Sequence, residues 1–76
     1  LLKNIFNEIM KKIDDKGISV SHIDHNQYQE KYYFNRNEEC VVVVFYYNKS
    51  GKVTKWLVDQ NKSNSDDLIE TLKSIL

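Results

Sequence analysis

The run Cys40-Val41-Val42-Val43-Val44-Phe45-Tyr46-Tyr47 limits what this chain can become more than any other stretch. Eight consecutive β-branched, aromatic or small apolar residues suit a strand packed on much of both faces, and they are far too few to cross a bilayer. Such a strand is central in its sheet. It requires a hydrogen-bonded neighbour on each side and an apolar layer over at least one face.

The neighbours are legible on both sides. From Gln27 to Asn35 the chain alternates, with Tyr28, Glu30, Tyr32 and Phe34 on one face and Gln27, Gln29, Lys31 and Tyr33 on the other. Asn35-Arg36-Asn37-Glu38 is a tight polar link, and asparagine tolerates the positive φ of a hairpin turn. With Arg36-Asn37 as the central pair, Tyr32 is expected opposite Val41, Glu30 opposite Val43 and Tyr28 opposite Phe45. A second hairpin turns through Asn48-Lys49-Ser50-Gly51, with Gly51 in the left-handed position. That turn sets Tyr47 against Val53, Phe45 against Lys55 and Val43 against Leu57. The core face then carries Tyr28, Tyr32, Phe34, Val41, Val43, Phe45, Tyr47, Val53 and Leu57. The opposite face carries Tyr33, Cys40, Val42, Val44, Tyr46, Trp56 and Val58 among polar residues. A one-residue slip in the last strand exchanges its faces.

Helices flank these strands. Leu2, Ile5, Phe6, Ile9, Met10 and Ile13 recur every three or four residues and predict an amphipathic helix over residues 2–16, stopped by Gly17, with Met10 as core filling. Leu68, Ile69, Leu72, Ile75 and Leu76 form a second stripe, and Ser63 and Ser65 compete to cap its start. Between the first helix and Gln27, residues 18–23 alternate briefly and lose their phase, which reads as a bent lead-in or an edge segment. The expected fold class is α+β: a three-stranded antiparallel sheet with two helices packed on one face, in the order α-β-β-β-α. Seventy-six residues make a single small domain near the lower limit for a self-sufficient core. Leu1-Leu2 opens straight into the helical pattern, as in a domain excised from a larger protein.

That element order resembles the double-stranded RNA-binding domain, over the whole chain and in topology only. The resemblance implies a lysine cluster at the start of the last helix that grips phosphate. Here the matching stretch is Ser63-Asn64-Ser65-Asp66-Asp67-Leu68, whose two acids repel phosphate, and Lys73 lies too far along the helix to replace it. The family's basic RNA-binding residues are therefore not matched.

No catalytic motif is present, and no cofactor or metal site is expected. His22-Ile23-Asp24-His25 is the one cluster of ligand-capable groups, but the two histidines are three apart, no fourth ligand stands near, and Cys40 has to come from another strand. Added zinc is expected to leave the melting temperature unchanged. Enzyme activity in this domain is not expected. Eleven basic and eleven acidic residues give the molecule no net field toward nucleic acid. A weak basic patch of Lys31, Arg36, Lys49, Lys52 and Lys55 is the only local bias. The lone cysteine suits a reducing compartment, and the chain shows no targeting segment or membrane span, so a cytoplasmic location is expected.

Two helices blanket only one side of such a sheet, leaving Tyr33, Val42, Val44, Tyr46, Trp56 and Val58 as a partner surface with the composition of an interface centre. The favoured function is a non-catalytic accessory or protein-interaction domain of a larger intracellular protein. Its partner is another protein, the rest of the parent chain or a second copy in a homo-oligomer. The alternative is a nucleic-acid-binding module, and a small metal-binding or enzymatic module is a remote third.

Overall fold

The structure is a computed structural model that describes residues 2–76, with side chains from residue 5 onward. Its elements run α1 (Leu2–Ile13), β1 (Ser19–His25), β2 (Gln29–Arg36), β3 (Glu39–Tyr47), β4 (Val53–Asp59) and α2 (Asp66–Ile75), with a short 3-10 turn at Gln60–Lys62. The four strands form one antiparallel sheet in chain order, β1-β2-β3-β4. The expected three-stranded sheet is therefore corrected to four strands, and with it the double-stranded RNA-binding-like α-β-β-β-α topology falls. The added strand is residues 19–25, where the alternation loses its phase. The cause is a bulge at Ile23: the ladder steps from His22 opposite Tyr32 to Asp24 opposite Lys31, and the extra residue breaks the period of two.

Both helices cover the same face. Ile9 and Ile13 of α1, and Leu68, Ile69 and Leu72 of α2, pack on Tyr32, Phe34, Val41, Val43 and Phe45 to make the core. Met10, expected in that stripe, is 45 % exposed. Helix α1 ends three residues sooner than the pattern predicts, because the chain turns left-handed at Asp15 (φ 63°) and again at Gly17 (φ 72°). No helix among the described residues is long and apolar enough to cross a membrane.

Hairpin β2–β3 turns through Asn37 (φ 57°) and Glu38, one residue later than expected, so Tyr32 pairs with Val43 and Glu30 with Phe45. The shift is two residues in register and preserves every face. The last strand behaves differently. Tyr47 pairs with Val53 as expected, but Tyr46 pairs with Lys55 and Phe45 with Trp56, because Thr54 is bulged out of the ladder. From Lys55 onward β4 is turned over, carrying Trp56 and Val58 to the helix-covered face and Leu57 to the open one.

The β2–β3 turn is clamped to the start of α2. Arg36 Nε and Nη2 donate to the two oxygens of Glu39 at 2.8 and 3.0 Å, and its Nη1 donates to Thr71 Oγ1 at 3.3 Å. Ser65, the N-cap of α2, accepts from the Leu68 amide and donates its own hydroxyl to Glu39 Oε1 at 2.6 Å. The hydrogen bonds from Arg36 first, and from Ser65 second, lower the Glu39 carboxyl from 4.5 to about 2. A depressed carboxyl contributes stability that is complete above its unfolded value and is lost as the pH falls through the folded one. The melting temperature should therefore drop between about pH 4.5 and about pH 2, and a Glu39→Gln variant should show a shallower drop there. Parallel curves for the two proteins in that window would show that the clamp contributes nothing.

Candidate nucleic-acid interface

The helix-free face of the sheet is a grid fixed by the registers. Its rows are Ser21, Tyr33, Val42 and Asp59; then Asp24, Lys31, Val44 and Leu57; then Gln29, Tyr46 and Lys55. Asn35 and Cys40 close it at one end. Val42 and Val44 are buried although neither α1 nor α2 lies over them; each is paired on both sides, Val42 with Tyr33 and Asp59, Val44 with Lys31 and Leu57. The exposed apolar area belongs to those flanking residues: Leu57 is 52 % exposed and Tyr33 36 %. Lys55 Nζ sits 5.0 Å from the centroid of the Tyr46 ring, a cation–π contact that holds a positive charge on this face.

Four of the six residues expected in the partner surface are thus brought together: Tyr33, Val42, Val44 and Tyr46. Trp56 and Val58 are not, since the Thr54 bulge sends them to the core side. There they pack at the edge of the core, with Trp56 6.3 Å from the Phe45 ring beside a cleft lined by Ile5, Ile9 and Val53 of the same side. Leu57 comes to the open face instead. The alternation puts Leu57 on the core face, because the Thr54 bulge upstream is not visible in it. The basic patch divides likewise. Lys31 and Lys55 lie on the open face, Lys49 and Lys52 on and beside the β3–β4 turn, and Arg36 is bound to Glu39 on the other side.

The linker after β4 secures this face at its far end. Asn64 Oδ1 accepts from the Cys40 amide at 2.8 Å, the Asn64 amide donates to the Cys40 carbonyl at 2.9 Å, and Ser63 Oγ accepts from the Val42 amide at 3.0 Å. The start of β3, residues 39–41, which β4 does not reach, is thereby paired through Cys40, and the open face is bounded at that end.

A second polar group lies at the opposite end, on the helix-covered side. His22 Nε2 and Glu30 Oε1 are hydrogen-bonded at 2.6 Å, the Tyr47 hydroxyl donates toward Glu30 Oε2 at 3.2 Å, and the His22 and His25 rings stack at 5.7 Å between centroids. Glu30 is only 3 % exposed. Burial, and after it the charge of Glu30, pushes the neighbouring Tyr32 phenol up to about 12 and raises that of Tyr47. In the sequence Glu30 carries no ligand pattern of its own, since it stands on an apolar face with Tyr32 and Phe34. The signal was an acid in phase with the core. Cys40, the other thinkable ligand, lies on the helix-free face, near the Lys62 carbonyl.

One protein family matches the whole chain. Its description is the TATA-binding-like protein domain of the TOTE conflict systems, and the match spans residues 1–76. Comparison with the curated proteins and with the solved structures finds no significant match in either. The description is of a binding domain, and the chain is accordingly non-catalytic. It points away from the generic protein-interaction role expected from the sequence.

Proposed function

The chain belongs to this family of TATA-binding-like domains, and on that premise we propose that it binds duplex DNA through the helix-free face of its sheet. The observation that carries the reading is an open antiparallel face on which Tyr33 and Leu57 stand exposed beside buried valines. Sheet proteins that bind the minor groove press apolar residues such as leucine and isoleucine against base steps, and they read A·T against G·C through groove width and a few amides. Leu57 and Tyr33 supply the apolar surface that meets the bases, and Gln29 and Asn35 supply side-chain amides on the same face. Lys31 and Lys55, with Lys49 and Lys52 at the nearby turn, supply phosphate contacts. Asp24 and Asp59 at the two margins confine favourable contact to the middle of the sheet.

With four lysines within reach, attraction to the backbone is modest, so affinity at low salt is expected to fall with added salt at a slope of a few units. The test is an anisotropy titration of labelled A·T-rich and G·C-rich duplexes, with single-stranded DNA and duplex RNA as comparison probes, at two salt concentrations. Tighter binding to the A·T-rich duplex is expected. Leu57→Asp and Tyr33→Ala should each weaken it about tenfold or more, and Lys55→Ala should reduce the salt slope by about 1. The reading fails if no duplex binds at about 100 μM protein in low salt, where even non-specific association is seen. It fails equally if the two open-face variants bind like the parent.

A further inference from the structure

We propose that His22, His25 and Glu30 form a binding site for a divalent transition-metal ion of the zinc class. The ligand atoms that these three residues offer lie within 4.8 Å of one another. Two imidazoles and one carboxylate are a donor set that zinc takes as three protein ligands with an open fourth position, and metal–ligand bonds of about 2.0–2.2 Å need only small side-chain rotations from this spacing.

Backbone geometry makes the cluster. In an unbroken strand, residues three apart point to opposite faces, so His22 and His25 would be separated by the sheet. The bulge at Ile23 adds one residue to β1, and the ladder resumes with His25 opposite Glu30. Both histidines therefore come to the helix-covered side, His25 opposite Glu30 itself and His22 opposite Tyr32, the next residue of β2 on that face. Bulges redirect side chains in this way where a site is built.

The carboxylate itself is the second argument. Glu30 lies between residues whose side chains are core, at 3 % exposure, where a charge is costly unless it is paired. His22 satisfies one oxygen. The Tyr47 hydroxyl lies 3.2 Å from the other and 3.0 Å from the Asn26 carbonyl, which places an outer-shell partner on the ligand and fixes its orientation. A His22–Glu30 pair alone accounts for the burial but leaves His25 without a role. The exposed ring of His25, stacked on His22, sits where it completes the set and leaves a fourth position toward solvent.

The experiment is calorimetric titration of the 76-residue chain with zinc, with thermal melts in parallel and the visible absorption of the cobalt(II) form as a report of coordination geometry. One ion per chain, a raised melting temperature and a tetrahedral cobalt spectrum are expected. His25→Ala, at an exposed position, should melt like the metal-free parent and lose both the heat and the zinc-induced rise. Tyr47→Phe, which keeps all three ligands, should weaken binding about tenfold. The proposal is overturned by unchanged melting at about 1 mM zinc, or by His25→Ala binding as tightly as the parent. Glu30→Gln should likewise lose the heat of zinc binding; should it fail to fold, the His25 variant decides the matter by itself.

Discussion

A Val43→Asp variant is expected to be unfolded at room temperature. Val43 has no exposure, stands between Tyr32 and Val58 on the helix-covered face, and belongs to the cluster on which both helices pack. An unpaired carboxylate there costs several kcal/mol. A domain of this size is stable by only about 5 kcal/mol, so the variant loses most or all of its stability. Circular dichroism melts and amide chemical-shift dispersion report the outcome. The same substitution at Leu57, one strand away and 52 % exposed on the open face, should leave the fold intact. At the adjacent Trp56, whose ring packs beside Phe45, it should lower the melting temperature clearly. The contrast between Trp56 and Leu57 tests the Thr54 bulge: if Leu57→Asp were the damaging change and Trp56→Asp the harmless one, β4 would sit in the unbulged register that the turn alone predicts.

Phe34→Ala should remove about 3–5 kcal/mol, enough to leave the domain partly unfolded at 25 °C. The ring is fully buried between strands β1 and β3, opposite Val20 on one side and Val41 on the other, and its removal leaves a cavity that the paired sheet cannot close by collapse. Tyr33→Ala, one residue away and facing the open side, should cost about 1 kcal/mol or less. Denaturant unfolding of the two variants measures the difference directly. Equal losses would mean that the open face is as tightly packed as the core. That result would also remove the physical basis for a DNA-binding surface there, because residues needed for packing are not free to meet a duplex.

The proposed DNA-binding face and the proposed metal site lie on opposite sides of the sheet. They are separable by experiment. His25→Ala should bind A·T-rich duplex as the parent does, and Leu57→Asp should take up zinc as the parent does; each variant serves as the other's control for correct folding.

Local chemistry decides the central strand, both hairpins and the two helices, because each is set by a short-range property: a run of β-branched residues, a turn asparagine or glycine, a stripe at helical spacing; between Ser63 and Ser65 as the cap of α2 the structure chooses Ser65. The β2–β3 faces are legible for the same reason, since a turn misplaced by one residue on each strand changes the register by two and leaves the faces alone. What the residues do not announce is where the ladder gains one extra member. Ile23 hides β1, and with it the four-stranded sheet, by breaking an alternation that is only seven residues long. Thr54 turns β4 over and exchanges Trp56 for Leu57 on the open face. Both bulges bring together residues distant in the chain or out of phase within it: Thr54 sets the partly buried Trp56 and Val58 against the core, and Ile23 sets His22 and His25 on the side of Glu30. The two candidate sites both depend on those bulges, which is why tertiary structure, and not the order of residues, put Leu57 on the open face and Glu30 beside two histidines.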